Sequence, residues 1–414
     1  MTVMPAFDMA AIVRDEGPRA RATLIRLLRD FDLAEDVLQD ALARAVVVWA
    51  ERGVPDNPAA WLVTAGRNRA IDMFRRKKKE AEILDGLPGD ETMPDENDFM
   101  EAATFRDDML RLIFTCCHPA LALEAQLALT LKTVAGFSLD EVARAFLVAP
   151  KTMEQRLTRA KKKISTAGIP YEIPEGKALP ERLNAVLLVV YLIFNEGYAA
   201  TAGDDLIRRE LCAQAIRLAR VLRDLFGDEP EVMGLLALLM LQNARAEARV
   251  SADGTLIPLD DQDRTLWDND AIARGEALVE AALKLKRAGP YQVQAAIAAL
   301  HCEAGTPDDT DWPQIAALYD VLEQFLPTPV VALNKAVARG MADGPEAGLA
   351  LLEAIAEAPE MRSYHLFFST QGALLEKADR PLEAINAYRA AAALAQNPAE
   401  KRHIDRKIAD LEVS

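Results

Sequence analysis

The sequence predicts an all-α protein made of several helical domains. Apolar residues recur at spacings of three and four along most of the chain, which is the period of a helix with one buried face. Segments with the alternating pattern of strands are nearly absent. From Leu179 onward the composition shifts to Ala and Leu, again in helical stripes. A chain of 414 residues is long enough for at least three small domains.

The first informative helix combines a predicted buried stripe with an acidic face. Seven apolar residues are spaced for one side of this helix: Val37, Leu38, Ala41, Leu42, Ala45, Val46 and Trp49. The other side carries Glu35, Asp36, Gln39 and Asp40. The pattern therefore predicts a helix that packs through one face and offers negative charge on the other.

The next helix is predicted to start at Pro58 with Asn57 as its cap, since Pro at the first helical position gives up an N–H that would be unpaired. Asn68, Asp72 and Arg75 fall at i, i+4 and i+7, so they share one face. Arg67 and Arg76 flank that face, and Trp61, Leu62, Ala65 and Ile71 supply apolar contacts. Five cations at 75–79 extend it. A helix with such a basic face suits nucleic-acid binding, although a basic run is also typical of a solvated helix end.

Residues 124–163 are spaced as a helix-turn-helix. Ser138 and Glu141 are three residues apart, as in a capping box, and Pro150 can start the second helix. Met153, Leu157, Ala160 and Ile164 form an inward stripe. Long polar side chains point outward and suit major-groove contacts, namely Lys151, Thr152, Gln155, Arg156, Arg159 and Lys162. An amphipathic hairpin in any helical protein is the alternative explanation.

These motifs together resemble the extracytoplasmic-function (ECF) type of bacterial sigma factor. The similarity to sigma region 2 rests on the run from Leu33 to Ala45 and on Pro58, Trp61, Leu62, Arg67, Asn68, Asp72, Arg75 and Arg76 after it. Residues 109–170 are similar to region 4. The resemblance implies that Glu35, Asp36, Gln39 and Asp40 contact the beta-prime clamp helices of RNA polymerase, and that the beta flap is a further contact.

The resemblance also assigns the DNA-binding residues. It implies that the −10 promoter element is opened and bound by Asn57, Trp61, Arg67, Asn68, Asp72, Arg75 and Arg76. Residues 53–57 would form the loop that receives a flipped base. The six outward residues of the second helix would read the −35 element as duplex.

The charge distribution agrees with two nucleic-acid-binding modules. Residues 1–170 without 80–108 carry 23 basic and 15 acidic side chains, whereas 80–108 carries 1 basic and 11 acidic ones. Residues 171–414 carry 24 basic and 38 acidic side chains, which accounts for most of the overall charge of −16. The predicted domains are thus 1–79, an acidic mobile linker at 80–108, 109–170, and a helical extension at 171–414. The linker could mimic nucleic acid or serve only solubility.

The end of the chain shows a repeat typical of tetratricopeptide helical hairpins. The segment from Gly344 to Leu352 aligns with Arg380 to Tyr388 at an offset of 36 residues, close to the tetratricopeptide period. The whole chain resembles the ECF subgroup with a fused tetratricopeptide-like extension, through the runs 112–121, 191–200 and 289–300. That resemblance implies that the extension regulates the sigma core and can bind a protein or peptide regulator.

Three polar segments have both a structural and a functional interpretation. Cys116, Cys117 and His118 could bind zinc or sense oxidants, but adjacent helical residues diverge, which favours packing. Tyr191, Asn195, Glu196 and Tyr198 suggest either an internal hydrogen-bond network between the sigma core and the extension or a ligand pocket. The segment 253–270 is predicted to be an ordered connection that could form part of the same surface as the Tyr191 group. It contains Asp260, Asp261, Gln262, Asp263, Arg264, Trp267 and Asp268.

The sequence predicts neither an enzyme nor a cofactor or metal protein, because it holds four His and lacks a phosphate loop or a nucleophile elbow. It has no secretory leader and no run of about 18 apolar residues, so we expect no membrane partner and a cytoplasmic location. The sequence favours a transcription initiation factor that uses core RNA polymerase and promoter DNA. One alternative is a helix-turn-helix regulator that needs no polymerase and uses the extension as a scaffold; another is an enzyme in the extension.

Overall fold

A computed structural model describes residues 9–85, 102–146, 148–199, 207–251 and 254–413. The fold is all-α, as predicted, and within the described residues the nearest approach to a strand is an isolated antiparallel bridge between Val250 and Leu256. The contacts divide the chain into two compact units, which meet between Val189 and Val190. We call residues 1–189 unit one and residues 190–414 unit two.

Unit one begins with three long helices, α1 (Met9–Leu28), α2 (Phe31–Arg52) and α3 (Pro58–Asp85), which pack on one another. The helix α4 (Ala102–Cys116) packs against α1. It is followed by α5 (Leu123–Leu129), which continues into a π-helical turn at Thr130–Val134, and then by α6 (Leu139–Ala145) and α7 (Pro150–Thr166). Both α5 and α6 pack on α7, which gives the predicted helix-turn-helix.

The helix starts in unit one follow local rules. Asp30 caps α2, with its carboxylate accepting hydrogen bonds from the backbone N–H of Asp32 and Leu33. Asn57 caps α3 through a 3.0 Å bond from the Ala60 N–H. Ser138 and Glu141 form the predicted capping box, with bonds of 2.7 and 3.2 Å. Because each cap pairs donors that a helix start leaves open, these boundaries could be found from sequence.

The acidic segment predicted as a linker at 80–108 is partly helical. Helix α3 continues to Asp85, α4 already begins at Ala102, and 86–101 lie outside the described residues. Asp108, which the sequence assigned to a solvated linker, is fully buried. Its carboxylate accepts charged hydrogen bonds from Arg26 at 3.0 Å and Arg111 at 2.8 Å. The prediction was wrong for this residue because burial depends on α1, which is distant in sequence.

Unit two is a succession of antiparallel helices. The boundary between the units falls inside α8 (Ala178–Tyr198), later than the predicted start of the extension at 171. The helices that follow are α9 (Arg209–Phe226), α10 (Pro230–Asn243), α11 (Asn269–Lys284), α12 (Pro290–Glu303), α13 (Trp312–Phe325), α14 (Pro329–Ala342), α15 (Pro345–Ile355), α16 (His365–Lys377), α17 (Pro381–Leu394) and α18 (Pro398–Val413).

The last four helices before α18 show the predicted repeat as structure. Helices α14 and α15 form one hairpin and α16 and α17 the next, and α15 and α17 start 36 residues apart. Small residues allow close packing between them: a Cβ on Gly348 would lie 2.7 Å from the Ala336 carbonyl oxygen. A tetratricopeptide-like hairpin needs such small residues where its helices cross.

Helix α8 is, within the described residues, the one helix long and apolar enough to cross a membrane by composition. The buried core helix of a soluble protein has the same composition. Its apolar side is packed, with Val186, Leu187 and Phe194 nearly inaccessible. Arg182 donates to the carbonyl oxygen of Phe114 at 2.5 Å, and Glu196 pairs with Arg208 at 3.2 Å. Polar contacts therefore hold α8 on both sides of the unit boundary, through Arg182 within unit one and through Glu196 within unit two.

Candidate nucleic-acid interface

The acidic face of α2 is divided between an exposed part and an internal part. Asp36, Gln39 and Asp40 are exposed, as the sequence predicts for contact residues. Asp40 forms a 2.6 Å ion pair with Arg69 of α3, which fixes α2 against α3. Among the residues of the predicted buried stripe, Val46 is 52% exposed and Val47 beside it 60%. The assignment of Val46 to the core was wrong, since the helices that pack on α2, namely α1 and α3, leave this position exposed.

Glu35 is the internal part of this face. Its carboxylate accepts a 2.6 Å bond from Arg21 of α1 and lies 3.3 Å from the Lys132 ammonium in the π-helical turn. Burial alone would raise the pKa of Glu35, but the charges and hydrogen bonds of Arg21 and Lys132 outweigh it and lower the pKa to about 2. A polymerase contact through Glu35, which stays a prediction, would require this ion cluster to open.

Arg21 and Lys132 were not found from the sequence. Arg21 also donates to the carbonyl oxygen of Thr133 at 3.0 Å, so one guanidinium joins α1, α2 and the π-helical turn. Lys161 of α7 forms a 2.5 Å ion pair with Asp32 at the start of α2. These contacts pack the helix-turn-helix against the first three helices within unit one. No periodicity or motif indicates them, because the partners are far apart in the chain.

Helix α3 presents the predicted polar face. Asn68, Asp72, Arg75 and Arg76 are exposed, whereas Arg67 and Trp61 are half-buried. The ring of Trp61 packs edge-on against Trp49 at 5.3 Å between centroids, which anchors the start of α3 to α2. Trp61 thus has a packing role beside any contact with DNA. The side chains of 77–79, the rest of the basic run, lie outside the described residues.

The start of α3 follows the loop that was predicted to receive a flipped base. Gly53 ends α2 with a φ of 83°, a left-handed conformation that favours glycine. The loop residues from Gly53 to Pro55 are half-buried, and Asp56 and Asn57 are exposed. The Asn57 side chain is already engaged as the cap of α3. That this loop receives a flipped base stays a prediction. Because Asn57 caps α3, its side chain is directed toward the start of that helix.

The second helix of the helix-turn-helix, α7, has the predicted two faces. Met153, Leu157, Ala160 and Ile164 are buried. Lys151, Thr152, Gln155, Arg159 and Lys162 are exposed. Arg156 differs from them, because it forms a 3.1 Å ion pair with Glu124 of α5 and lies over the ring of Phe146. Its guanidinium is therefore held in one orientation before any DNA is bound.

The cysteine segment is structural within the described residues. Cys116 and Cys117 are buried, and their sulfur atoms lie 3.1 Å from the Thr133 hydroxyl and 3.5 Å from the Thr130 hydroxyl. Burial raises the pKa of Cys116 to about 12 and that of Cys117 to about 11, so both stay protonated at neutral pH. His118 is half-buried and accepts a hydrogen bond from the Ala120 N–H. In the described part of the chain, no group of three or more residues is arranged to hold a metal ion.

The tyrosine segment forms a network inside unit two. The Tyr191 hydroxyl lies 3.5 Å from the side-chain oxygen of Gln294, and its ring packs edge-on against Tyr291. Arg249 stacks over Tyr198 at 3.9 Å and donates to its carbonyl oxygen. The partners Gln294, Tyr291 and Arg249 belong to the extension. The segment therefore forms an internal network, as one of the two interpretations holds, but these contacts lie within the extension and do not join it to the sigma core.

Comparison with known proteins agrees with this arrangement. Residues 12–80 match the family model of sigma-70 region 2, and residues 111–164 match that of sigma-70 region 4. Residues 182–283 match a family of unknown function called DUF6596. No solved structure matches the chain. Two sigma domains in this order define the class: the chain belongs to the sigma-70 family of transcription initiation factors.

The chain is also similar to two individual proteins, of which one is a sigma factor. An ECF RNA polymerase sigma factor, EcfG of Rhodopseudomonas palustris (strain TIE-1), is 29% identical over 150 residues, which cover 36% of this chain and 78% of the relative. A protein of Rhizobium meliloti (strain 1021), described only as uncharacterized, is 45% identical over 98% of this chain and 95% of its own length. The chain is an ECF-type sigma factor with a fused helical C-terminal extension.

Proposed function

We propose that this sigma factor binds core RNA polymerase through the exposed part of the α2 acidic face and opens the −10 element with α3. The observation that carries the proposal is the adjacency of these two faces: Asp36 and Asp40 are exposed on α2, and Arg69 of α3 is paired to Asp40. A polymerase bound to α2 would thus hold α3 with its exposed Asn68, Asp72 and Arg75 in a fixed position. Unstacked bases captured there replace lost pairing, so no nucleotide hydrolysis is needed.

Helix α7 would read the −35 element as duplex. Its exposed Gln155 and Arg159 lie on the face opposite the buried stripe and can reach base edges in a major groove. The flanking Lys151 and Lys162 can neutralise phosphates. Simultaneous contact with two separated promoter elements would require the helix-turn-helix to leave α2, which breaks the ion pairs of Lys132 with Glu35 and of Lys161 with Asp32.

The proposal separates two kinds of DNA contact on α7, and paired alanine variants test it. Arg156→Ala should lower selectivity at one −35 position, because a guanidinium preset by Glu124 would read a base edge. Lys162→Ala should weaken binding of all promoters by a similar factor, since a phosphate contact carries no sequence information. Binding of holoenzyme to a set of −35 variants measures both. Equal loss of selectivity in the two variants would contradict these roles.

We infer that the C-terminal extension regulates the sigma core and that the protein acts in the cytoplasm, where its polymerase and promoter are. The supporting observation is that unit two forms its own hydrophobic cores, such as the one of α16 and α17 around Leu374, Ala384 and Tyr388. It carries most of the negative charge of the chain and forms a compact unit through its own internal contacts. A protein or peptide regulator could act through it.

Run-off transcription with core polymerase tests the regulation. The full chain is compared with a chain that ends at Val189, the limit of unit one. A cut near Gly168 would be less suitable, because it removes Tyr171, whose hydroxyl donates to the Ala22 carbonyl oxygen at 2.9 Å. We expect the two forms to differ by about tenfold or more, the size of a typical regulatory coupling. Higher activity of the short chain would show inhibition and lower activity would show assistance. Equal activity would overturn the regulatory role.

A further inference from the structure

A cleft of about 640 Å³ opens between the first helices of unit one and the helix-turn-helix. It is lined by the turn that joins α1 to α2, from Arg29 to Asp32, and by the face of α7 that carries Thr158, Lys162 and Ser165. Its volume lies in the range of small-molecule sites, which is roughly 300–1,000 Å³. We call this cavity the α1–α7 cleft.

Part of the lining of the α1–α7 cleft is apolar. Phe31 and Tyr171 line the cleft and are half-buried, so part of each ring stays accessible. Ile25 and Ile164 complete the apolar lining and are almost fully buried. The Tyr171 hydroxyl donates to the Ala22 carbonyl oxygen at 2.9 Å, which fixes this ring against α1. An apolar surface with a few fixed polar groups is the usual lining of a small-molecule site.

The rest of the lining has an excess of positive charge. Four cations and two carboxylates line the cleft, namely Arg26, Arg29, Lys161, Lys162, Asp30 and Asp32. Arg26 is engaged by Asp108 at 3.0 Å, and Lys161 is engaged by Asp32 at 2.5 Å. The Asp30 carboxylate already accepts two backbone hydrogen bonds at the start of α2.

The remaining two cations of the cleft are Arg29 and Lys162. Both are exposed, and neither forms an ion pair within the part of the chain that the structure describes. Arg29 follows α1 and Lys162 belongs to α7, so each of the two parts of unit one contributes one of them. The cleft therefore combines two available positive charges with accessible aromatic surface.

We infer that the α1–α7 cleft binds a nucleotide, which carries phosphate at one end and a planar base at the other. The guanidinium of Arg29 and the ammonium of Lys162 would match the two charges of a phosphate group, whereas a carboxylate carries half of that charge. The half-buried rings of Phe31 and Tyr171 offer apolar surface to the base. The cleft lies outside the acidic face of α2 and the polar face of α3, so this site adds a ligand to the proposed function.

A nucleotide in the α1–α7 cleft would hold the helix-turn-helix against the first helices. It would contact the α1–α2 turn and α7 together, in parallel with the ion pair of Lys161 and Asp32. Because it would bind the packed arrangement alone, a concentration of about a hundred times its Kd would favour packing about a hundredfold. The effect on initiation rests on the proposed function, in which α7 leaves α2 and Lys162 contacts promoter phosphate. Bound nucleotide would then lower promoter engagement.

Titration calorimetry of the full chain with ADP, at constant ionic strength in chloride, tests the binding. We expect saturable binding by the parent protein. Inorganic phosphate and adenosine should each bind at least about tenfold more weakly, because each is only part of the ligand. Arg29→Gly should also weaken ADP binding at least about tenfold. This variant should keep its stability, since Arg29 has a φ of 53°, which favours glycine.

The matched control is Lys286→Gly. Lys286 is an exposed cation of unit two with a φ of 54°, and it does not line the cleft. Its replacement removes one positive charge and relaxes the same backbone conformation, so this variant should bind ADP as the parent does. Absence of saturable binding by the parent would overturn the inference. So would an Arg29→Gly variant that binds as tightly as the control, or inorganic phosphate that binds as tightly as ADP.

Amide hydrogen exchange of the free chain tests whether the nucleotide holds the helix-turn-helix in place. Saturating ADP should slow exchange in the π-helical turn and in α7 of the parent, and should slow it less in Arg29→Gly at the same concentration. Unchanged exchange in the parent at saturation would refute this effect. Both measurements use the chain without polymerase or promoter. A failure of the proposed docking face would therefore leave their results unchanged, and the nucleotide site and the proposed function are tested separately.

Discussion

Replacement of Asp36 and Gln39 by arginine is expected to lower run-off transcription by core polymerase more than about tenfold, because reversing one charge and adding a second in a docking face costs several kcal/mol. Both side chains are exposed and lie on the face of α2 that we propose for polymerase. Asp36 lies outside the internal ion cluster. Gln39 donates to the Glu35 carboxylate at 3.5 Å, and an introduced guanidinium can donate to the same oxygen, so the fold of unit one should be kept. The loss should appear in the affinity for core polymerase, measured by competition with a labelled sigma factor.

The matched control for this variant is Glu51→Lys. Glu51 is an exposed carboxylate near the other end of the same helix, and its replacement reverses charge without touching the proposed docking face. We expect transcription by this control within about twofold of the parent, the usual scale for surface changes. If the Asp36/Gln39 double variant bound core polymerase as tightly as the control, the proposed docking face would be wrong.

Glu35→Gln is expected to destabilise unit one by about 3 kcal/mol, the typical cost of removing one partner from a buried ion pair. The substitution keeps the shape of the side chain but leaves the buried guanidinium of Arg21 and the ammonium of Lys132 without their negative partner. Amide hydrogen exchange in α2 and in the π-helical turn should accelerate by about two orders of magnitude, which is that free energy expressed as an equilibrium constant. Asp36→Asn, an exposed carboxylate beside it, is the control and should exchange as the parent does.

The effect of Glu35→Gln should depend on pH in one direction. The pKa of Glu35 is about 2 in the folded chain, against an ordinary value of 4.5. A lowered pKa stabilises the fold above pH 4.5, and this contribution is lost as the pH falls toward 2. The difference in melting temperature between parent and variant should therefore be full at pH 7 and shrink below pH 4.5. A difference that stayed constant from pH 7 to pH 3 would show that the charge of Glu35 does not stabilise unit one.

The sequence was informative wherever the deciding interaction is local. Asn57, Ser138 and Glu141 cap helices whose starts could therefore be found, and the stripe from Met153 to Ile164 is buried as its spacing requires. The repeat at 36 residues predicted the final hairpins for the same reason. Caps, stripes and repeats depend on residues close in the chain, which periodicity detects.

Residues that were wrongly or incompletely assigned have partners that are distant in the chain. Val46 fits the stripe of α2, but the neighbouring helices leave it exposed. Asp108 belongs to an acidic segment by composition, yet α1 and α4 bury it between two arginines. In the sequence, Glu35 and Asp36 have the same predicted role as exposed carboxylates of α2. The structure separates them, because Arg21 and Lys132 pair with Glu35.

The sequence by itself determined the all-α class, the two sigma modules, the helical extension and the polar face of each proposed DNA-binding helix, because these depend on local spacing and on motifs. Only the tertiary structure decided which acidic residues are exposed on α2 and where the helix-turn-helix packs within unit one. Whether a charged side chain is buried or paired depends on contacts between segments that are distant in the chain, and the spacing of residues in the sequence does not show those contacts.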